Sequence, residues 1–336
     1  MRHIGVDLHT TQITVCYLTE KDAVDIRKYQ LCEMDKFVSD LKKTDEIAVE
    51  ATCNTRWFAE QVEKKVSRVV LVNPRAFEVV KNSVKKTDKN DAINLARFLK
   101  ADLLPEVRGK VMEATSVQSL VNTRTKLVRL KTSLINKIHS LAVSKGRKLK
   151  KTSLSSDKGL AKVLLQDWSR IERIELEIIV EQMRSLKVSI VKLDKAIEAQ
   201  SEKLKGYQNL KSISGIGSLS AGVLLSVIGN VKDFASIDKL ASYFGIVPRV
   251  SNSNETVNHG RITKRGNKTG RTTLVQCSLA AIKKNEYLKK YYEQVKARRG
   301  HGKAKIALAR KYLGIIYNPL TNGWVFADFN NFELAE

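Results

Sequence analysis

Over the first hundred residues the hydrophobic period switches repeatedly between two and about 3.6, and this switching constrains the fold more than any other feature. His3–Leu8 (HIGVDL) is a short apolar strand signal, Thr10–Gln12 is a turn, and Ile13–Leu18 (ITVCYL) is β-branched and aromatic, so a hairpin is expected. Arg27–Cys32 predicts a third strand, Glu46–Glu50 (EIAVE) a fourth and Arg68–Val72 (RVVLV) a fifth. Helical stretches lie among them: Asp35–Leu41, with Asp35 as the expected N-cap, Thr55–Lys65, a stretch opened by Pro74, and Asp88–Lys100. A hairpin followed by strand–helix alternation predicts a mixed sheet covered by helices.

Behind this part the period becomes helical and stays so. Leu120, Leu127, Leu134 and Leu141 recur seven apart, and Ser144–Gly159 reads as a basic loop, either a linker or an arm that touches nucleic acid. Leu160 to Leu204 keeps helical spacing with no proline or glycine, which predicts a long helix or helical hairpin of coiled-coil type. Two fates are open for it: a dimerisation arm, or helices packed within their own domain. From Tyr207 onward, helices alternate with Gly-rich turns, then a polar loop rich in Gly and Asn, then an amphipathic helix over Thr272–Lys284. The expected fold class is α/β plus α. The expected organisation is a first domain over 1–145, a basic linker and coiled-coil arm over 146–206, a mostly helical domain over 207–325 and a tail over 326–336.

The 336 residues include 60 Lys and Arg against 35 Asp and Glu, a net charge of +25. The excess is steepest between Arg249 and Lys311, with 17 basic and 3 acidic residues. Such a surplus calls for a polyanion, nucleic acid first and an anionic membrane surface second. A hydrophobic content of 43% excludes a disordered chain. The N-terminus MRHIGVDLHTTQ lacks the apolar run of a signal peptide, and Leu219–Ile228, the longest apolar stretch, is far short of the roughly 20 residues of a membrane span. A cytoplasmic protein with no membrane partner is therefore expected. The four cysteines are scattered with no Cys-x-x-Cys pair, which argues against a disulfide framework and a zinc ribbon.

Three carboxylate sites are candidates for chemistry. Asp7 ends the first strand, Glu50 ends the fourth, and Asp88 and Asp91 stand three apart at a helix start, hence on one helix face. Hard oxygen ligands converging at a sheet edge suit Mg²⁺, and paired Mg²⁺ ions suit phosphodiester chemistry. Ordinary roles remain open: Asp7 as an exposed strand-end acid, Asp88 as an N-cap and Asp91 as a first-turn helix acid. Candidate phosphate contacts are Arg124, Lys131 and Lys137 on the polar face of the first long helical stretch, and Arg261, Lys264, Arg265, Lys268 and Arg271 behind the polar loop. All could instead supply generic affinity for DNA.

The motifs GVDLHT (Gly5–Thr10), VEAT (Val49–Thr52), NPR with KTDKNDA (Asn73–Arg75, Lys86–Ala92), SISGIG (Ser212–Gly217) and FGIVPR with GRITKRGN (Phe244–Arg249, Gly260–Asn267) occur in this order. Together they resemble the Asp-Glu-Asp-Asp (DEDD) transposases of the IS110 insertion-sequence family, relatives of the Piv DNA invertases. The resemblance implies a RuvC-like, RNase-H-fold N-terminal domain, a coiled-coil arm and a C-terminal transposase domain with a nucleophilic serine. It implies that Asp7, Glu50, Asp88 and Asp91 form a tetrad holding Mg²⁺ and that Ser253 is the nucleophile, with Ser251 as the alternative. It implies a homo-oligomer, dimer or tetramer, in which the serine of one subunit completes the carboxylate site of another. A structured bridge RNA would pair with donor and target DNA. This chain departs from the family pattern at Cys53, near Thr55 and at Asn254. The expected function is an RNA-guided insertion-sequence transposase. Its rivals are a metal-dependent nuclease resembling a junction resolvase and a non-catalytic nucleic-acid-binding protein derived from a transposase.

Overall fold

The computed structural model describes residues 1–81, 87–107, 112–253 and 256–326. The chain forms two compact units, Met1–Gly109 and Lys110–Glu336. In the first unit the order is β1 (Arg2–Leu8), β2 (Gln12–Thr19), β3 (Val24–Gln30), α1 (Met34–Ser39), β4 (Glu46–Glu50), α2 (Thr55–Val62), β5 (Arg68–Val72), α3 (Pro74–Lys81) and α4 (Asp88–Lys100). The five strands make one sheet in the order β3-β2-β1-β4-β5. β1, β2 and β3 form an antiparallel meander, and β4 and β5 run parallel to β1. β3 begins three residues before the predicted Arg27, because its register is set by pairing from Val24 opposite Leu18 to Gln30 opposite Gln12. Asp35 is not the cap of α1: Glu33 holds that position and Asp35 lies in the first turn.

The two sheet faces differ in side-chain size. One buries Ile4, Val6, Ile13, Val15, Ile47 and Val49 against Phe37 of α1 and Phe58 and Val62 of α2. The other presents Cys16 and Ala48 to Ala92, Leu95 and Ala96 of α4. α4 crosses β1 at Gly5, where a Cβ atom would stand 2.0 Å from the Ala92 carbonyl oxygen and 2.5 Å from the Ala96 nitrogen. Both obstacles are backbone, so a side chain here must push the whole helix off the sheet. Gly5→Ala is therefore expected to cost unit 1 about 3 kcal/mol or more, measured as a lowered denaturant midpoint. Parental stability would show that α4 can sit farther from β1.

The second unit contains α5 (Met112–Ser144), α6 (Asp157–Leu164), α7 (Arg170–Ser201), α8 (Tyr207–Lys211), α9 (Ser218–Ile228), α10 (Ile237–Phe244), β6 (Pro248–Ser253), β7 (Thr256–Ile262), α11 (Lys268–Ala281) and α12 (Glu286–Asn322). The helix 112–144, placed by the sequence in the first domain, belongs to this unit. α5 and α7 run antiparallel: the Arg124 guanidinium grips Asp194 with two nitrogens, one at 3.3 Å, and Lys137 meets Glu175 at 2.7 Å. Val117, Val121 and Ile197 pack this pair onto Val223 of α9. At its far end Ile138, Ala142, Leu154, Leu160 and Trp168 form a small separate core. The long helices thus find apolar partners in their own chain, while Ile171, Ile174, Ile178 and Val188 on the outer side of α7 remain exposed. The predicted basic loop 144–159 includes a 3₁₀ turn over Ser153–Ser155 and the start of α6. α6 and α7 are separate helices because Ser169 and Glu172 form a capping box that starts a new one.

α8 to α12 enclose a core around Leu224, Leu240, Phe244, Leu274, Leu308 and Tyr312. The polar stretch predicted as a loop is instead the hairpin β6–β7, with a register irregularity between Pro248 and Val250. α11 starts four residues before the predicted Thr272, since the Asn267 side chain accepts the Gly270 N–H at 2.9 Å and caps the helix there. α12 changes direction at Gly300, whose φ of 77° and ψ of 164° are not helical. Among the described residues, no helix is long and apolar enough to cross a membrane.

Candidate carboxylate site and basic hairpin

Strand alternation puts Gly5 and Asp7 of β1, and Ala48 and Glu50 of β4, on the face that α4 covers. The parallel register ends at Val6 opposite Val49, so Asp7 and Glu50 come one step later, side by side at the carboxyl ends of adjacent strands. The close approach at Gly5 brings the first turn of α4 over this edge. Thr87 caps α4 by accepting the Asn90 N–H at 3.2 Å, so Asp88 is the first helical residue and not the cap. Asp91, one turn in, is buried. Both acids lie where the positive end of the helix dipole favours negative charge.

A residue the sequence did not single out completes the cluster. His9 Nε2 lies 3.2 Å from Asp7 Oδ2 and 3.5 Å from Asp88 Oδ1. One donor atom from each of Asp7, His9 and Asp88 lies within 4.8 Å of the others. Glu50 and Asp91 stand outside this tight group among the described residues. The signal that could have found His9 is the two-residue step Gly5, Asp7, His9 along the GVDLHT motif. Burial pushes the Asp7 carboxyl above the ordinary carboxylate range; His9 pulls it down, and the charges of Asp88 and Asp91 push it up again. A cation held among these groups would relieve that repulsion, and a set of carboxylate oxygens with one imidazole is a fitting donor set for a divalent metal.

The loops carrying these residues are tied together. Thr55 Oγ1 donates to the Glu50 carbonyl at 2.6 Å and accepts the Thr52 N–H at 2.8 Å. Asn54 Nδ2 donates to the His9 carbonyl at 3.0 Å. The departure near Thr55 therefore puts a hydroxyl where it staples the end of β4, and Cys53 beside it is exposed and free.

In the second unit Ser253 is the last residue of β6 and pairs with Thr256 across the hairpin, and Ser251 pairs with Asn258. Asn254 lies outside the described residues. Behind the hairpin, Gly245 and Gly266 lock two turns together. Both have left-handed φ, and a Cβ would stand 2.0 Å from the Arg265 oxygen or 2.1 Å from the Tyr243 oxygen respectively. This explains the FGIVP and TKRGN motifs as a pair. Arg261, Lys264, Arg265 and Lys268 are exposed. Arg271 is half-buried and donates to the Phe244 carbonyl at 3.1 Å, so it braces the first of those turns. Arg124 and Lys137 are likewise engaged within the chain, and Lys131 is half-buried on the same helix.

Two family profiles match the chain. A transposase profile of the DEDD type from IS110 elements covers residues 4–145, and one described as the transposase IS116/IS110/IS902 family covers 207–293. The chain belongs to the IS110 family of transposases. It is a DNA transposase, and Asp7, Glu50, Asp88 and Asp91 all fall within the DEDD-type match. It is similar to the transposase for insertion sequence element IS1111A of Coxiella burnetii, with 27% identity over 95% of this chain and 89% of that protein. It is also similar to a probable family 20 transposase of Pseudomonas aeruginosa, 26% identical over 82% of this chain and 83% of the relative. The transposase for insertion sequence element IS1328 of Yersinia enterocolitica is 24% identical over 96% and 98% of the two chains.

Proposed function

We propose that this transposase recombines DNA through a serine–phosphate covalent step, guided by a structured bridge RNA. The observation that carries the catalytic reading is the meeting of Asp7, Asp88 and His9 at one sheet edge, with Glu50 one strand away, inside the region that matches the DEDD-type family. The strand order β3-β2-β1-β4-β5, with two antiparallel and two parallel pairs of neighbours, supports a RuvC-like, RNase-H-type fold for unit 1. Asp7, Glu50, Asp88 and Asp91 would hold Mg²⁺, which supplies Lewis acidity at a phosphate oxygen. The protein's own part is to bind, orient and exchange bonds. Arg261, Lys264, Arg265 and Lys268 hold the phosphates flanking the scissile one by charge-assisted hydrogen bonds. Ser253 Oγ forms a bond to phosphorus while the bond to one sugar oxygen breaks, and the serine proton leaves with that oxygen. One phosphodiester replaces another, so rejoining needs no external energy. The serine of one subunit would complete the carboxylate site of another in a cytoplasmic dimer or tetramer.

The test is to incubate the protein with its element's non-coding RNA, labelled donor DNA and Mg²⁺, then run a denaturing gel. A protein–DNA adduct that requires RNA and metal is expected. Cleavage without adduct would make a water-using nuclease the better reading, and an adduct formed equally without RNA would remove the guide. Binding should also weaken steeply with salt. Replacing Arg261, Lys264, Arg265 and Lys268 together by Gln is expected to flatten the log–log salt slope by about 3–4; an unchanged slope would show that these cations do not meet phosphate.

A further inference from the structure

We propose that His9 is itself a metal ligand, joining Asp7 and Asp88 in a mixed nitrogen–oxygen site that prefers Mn²⁺ to Mg²⁺. The inference rests on the divalent-metal reading above and adds a donor that the four carboxylates do not include.

Geometry carries it first. Adjacent ligands on an octahedral ion with bonds of about 2.1 Å lie about 3.0 Å apart. The two separations from His9 Nε2, 3.2 Å to Asp7 and 3.5 Å to Asp88, are close to two such edges. A hydrogen-bonding role fits less well. One N–H cannot point at both oxygens, and 3.5 Å is longer than an ordinary N–H···O bond. An ion between the three atoms would serve all of them at once.

The main chain at His9 is held in place. The His9 N–H donates to the Gln12 carbonyl at 3.0 Å, and the His9 carbonyl accepts Asn54 Nδ2 at 3.0 Å. One bond comes from the β1–β2 turn and the other from the loop after Glu50. The residue is thus fixed from both sides while its side chain stays 46% exposed at the mouth of the site. Such positioning is what a ligand needs and what a solvated turn histidine does not.

The chemistry then sets the preference. Asp7, Asp88 and Asp91 already supply more negative charge than one divalent ion neutralises. A neutral imidazole adds a donor without adding charge. Mg²⁺ takes oxygen ligands and gains little from nitrogen, whereas imidazole suits transition ions.

The experiment uses the whole protein and Mn²⁺ as its own spectroscopic probe. Binding is read by loss of the free-Mn²⁺ electron spin resonance signal, and nitrogen coordination by ¹⁴N modulation in pulsed spectra. Mg²⁺ affinity is read by competition. The wild type is expected to show ¹⁴N modulation. His9→Ala is expected to lose it, with Mn²⁺ bound about tenfold more weakly and Mg²⁺ changed by less than about twofold. His9→Asp, an oxygen donor at the same place, is expected to shift the preference toward Mg²⁺. Thermal melts of both variants show whether they remain folded. If His9→Ala binds both ions more tightly, His9 is a charge competing with the metal and the inference is overturned. If Mn²⁺ binds and Asp7→Asn abolishes that binding, but no ¹⁴N modulation is seen, the inference fails while the carboxylate site stands. If wild type and Asp7→Asn both fail to bind Mn²⁺, the metal-site reading itself falls.

Discussion

Asp7→Asn is expected to lower strand cleavage by at least about a thousandfold, because an amide is a poor ligand for a hard cation. The position of Asp7 explains why it should be the most sensitive of the four acids. It stands beside Glu50 on the neighbouring strand, and its carboxylate oxygen lies next to His9, which in turn reaches Asp88. DNA binding should persist within about threefold, since the net charge of +25 leaves many Lys and Arg side chains to meet phosphate. Stability should move the other way. Burial and like charges disfavour the ionised Asp7 in the fold, so the neutral isostere is expected to raise the melting temperature slightly. Cleavage and melting temperature measured on one preparation test both signs. Recombination at the parental rate in both Asp7→Asn and Glu50→Gln would remove the metal site from these residues.

Ser253→Ala should abolish both cleavage and the covalent protein–DNA adduct, to below about a thousandth of the wild-type level, if the hydroxyl is the nucleophile. A serine hydroxyl is a weak nucleophile near neutral pH, so its activation and its removal both have large effects. Mn²⁺ binding at unit 1 should be unchanged, because the carboxylates and Ser253 belong to different units. Retained Mn²⁺ binding then shows that unit 1 is intact, and a thermal melt of the variant shows whether the unit that carries Ser253 remains folded. The joined peptide, identified by mass spectrometry, distinguishes Ser253 from Ser251. An adduct on Ser251 moves the site by two residues along β6 and keeps the mechanism. Cleavage retained in both serine variants, with no adduct, replaces the serine with water.

Much of unit 1 was legible from local pattern alone. Glu46–Glu50, Arg68–Val72 and Asp88–Lys100 have the predicted bounds, because β-branched runs between turn residues and a capped amphipathic helix carry their signals within a few residues. The four acids could likewise be picked out, since each sits at a strand end or a helix start. His9 was missed for the opposite reason. Its significance lies in reaching Asp88, 79 residues on, and nothing local to GVDLHT records that contact.

The rear half shows where local reading runs out. The Gly- and Asn-rich stretch after Pro248 reads as a loop by composition, yet Pro248–Ser253 and Thr256–Ile262 pair as antiparallel strands. Arg124 and Lys137 read as cations facing nucleic acid, yet each finds an acid on α7. The amino-acid sequence by itself determined the alternation of elements, the basic charge and the identity of the candidate acids, because these depend on side-chain type and near-neighbour spacing. Only the tertiary structure decided that α4 lies against Gly5, that His9 joins two of the acids and that α5 packs on α7. Those outcomes depend on close packing between segments far apart in the chain, where a missing Cβ or a single paired charge selects the arrangement.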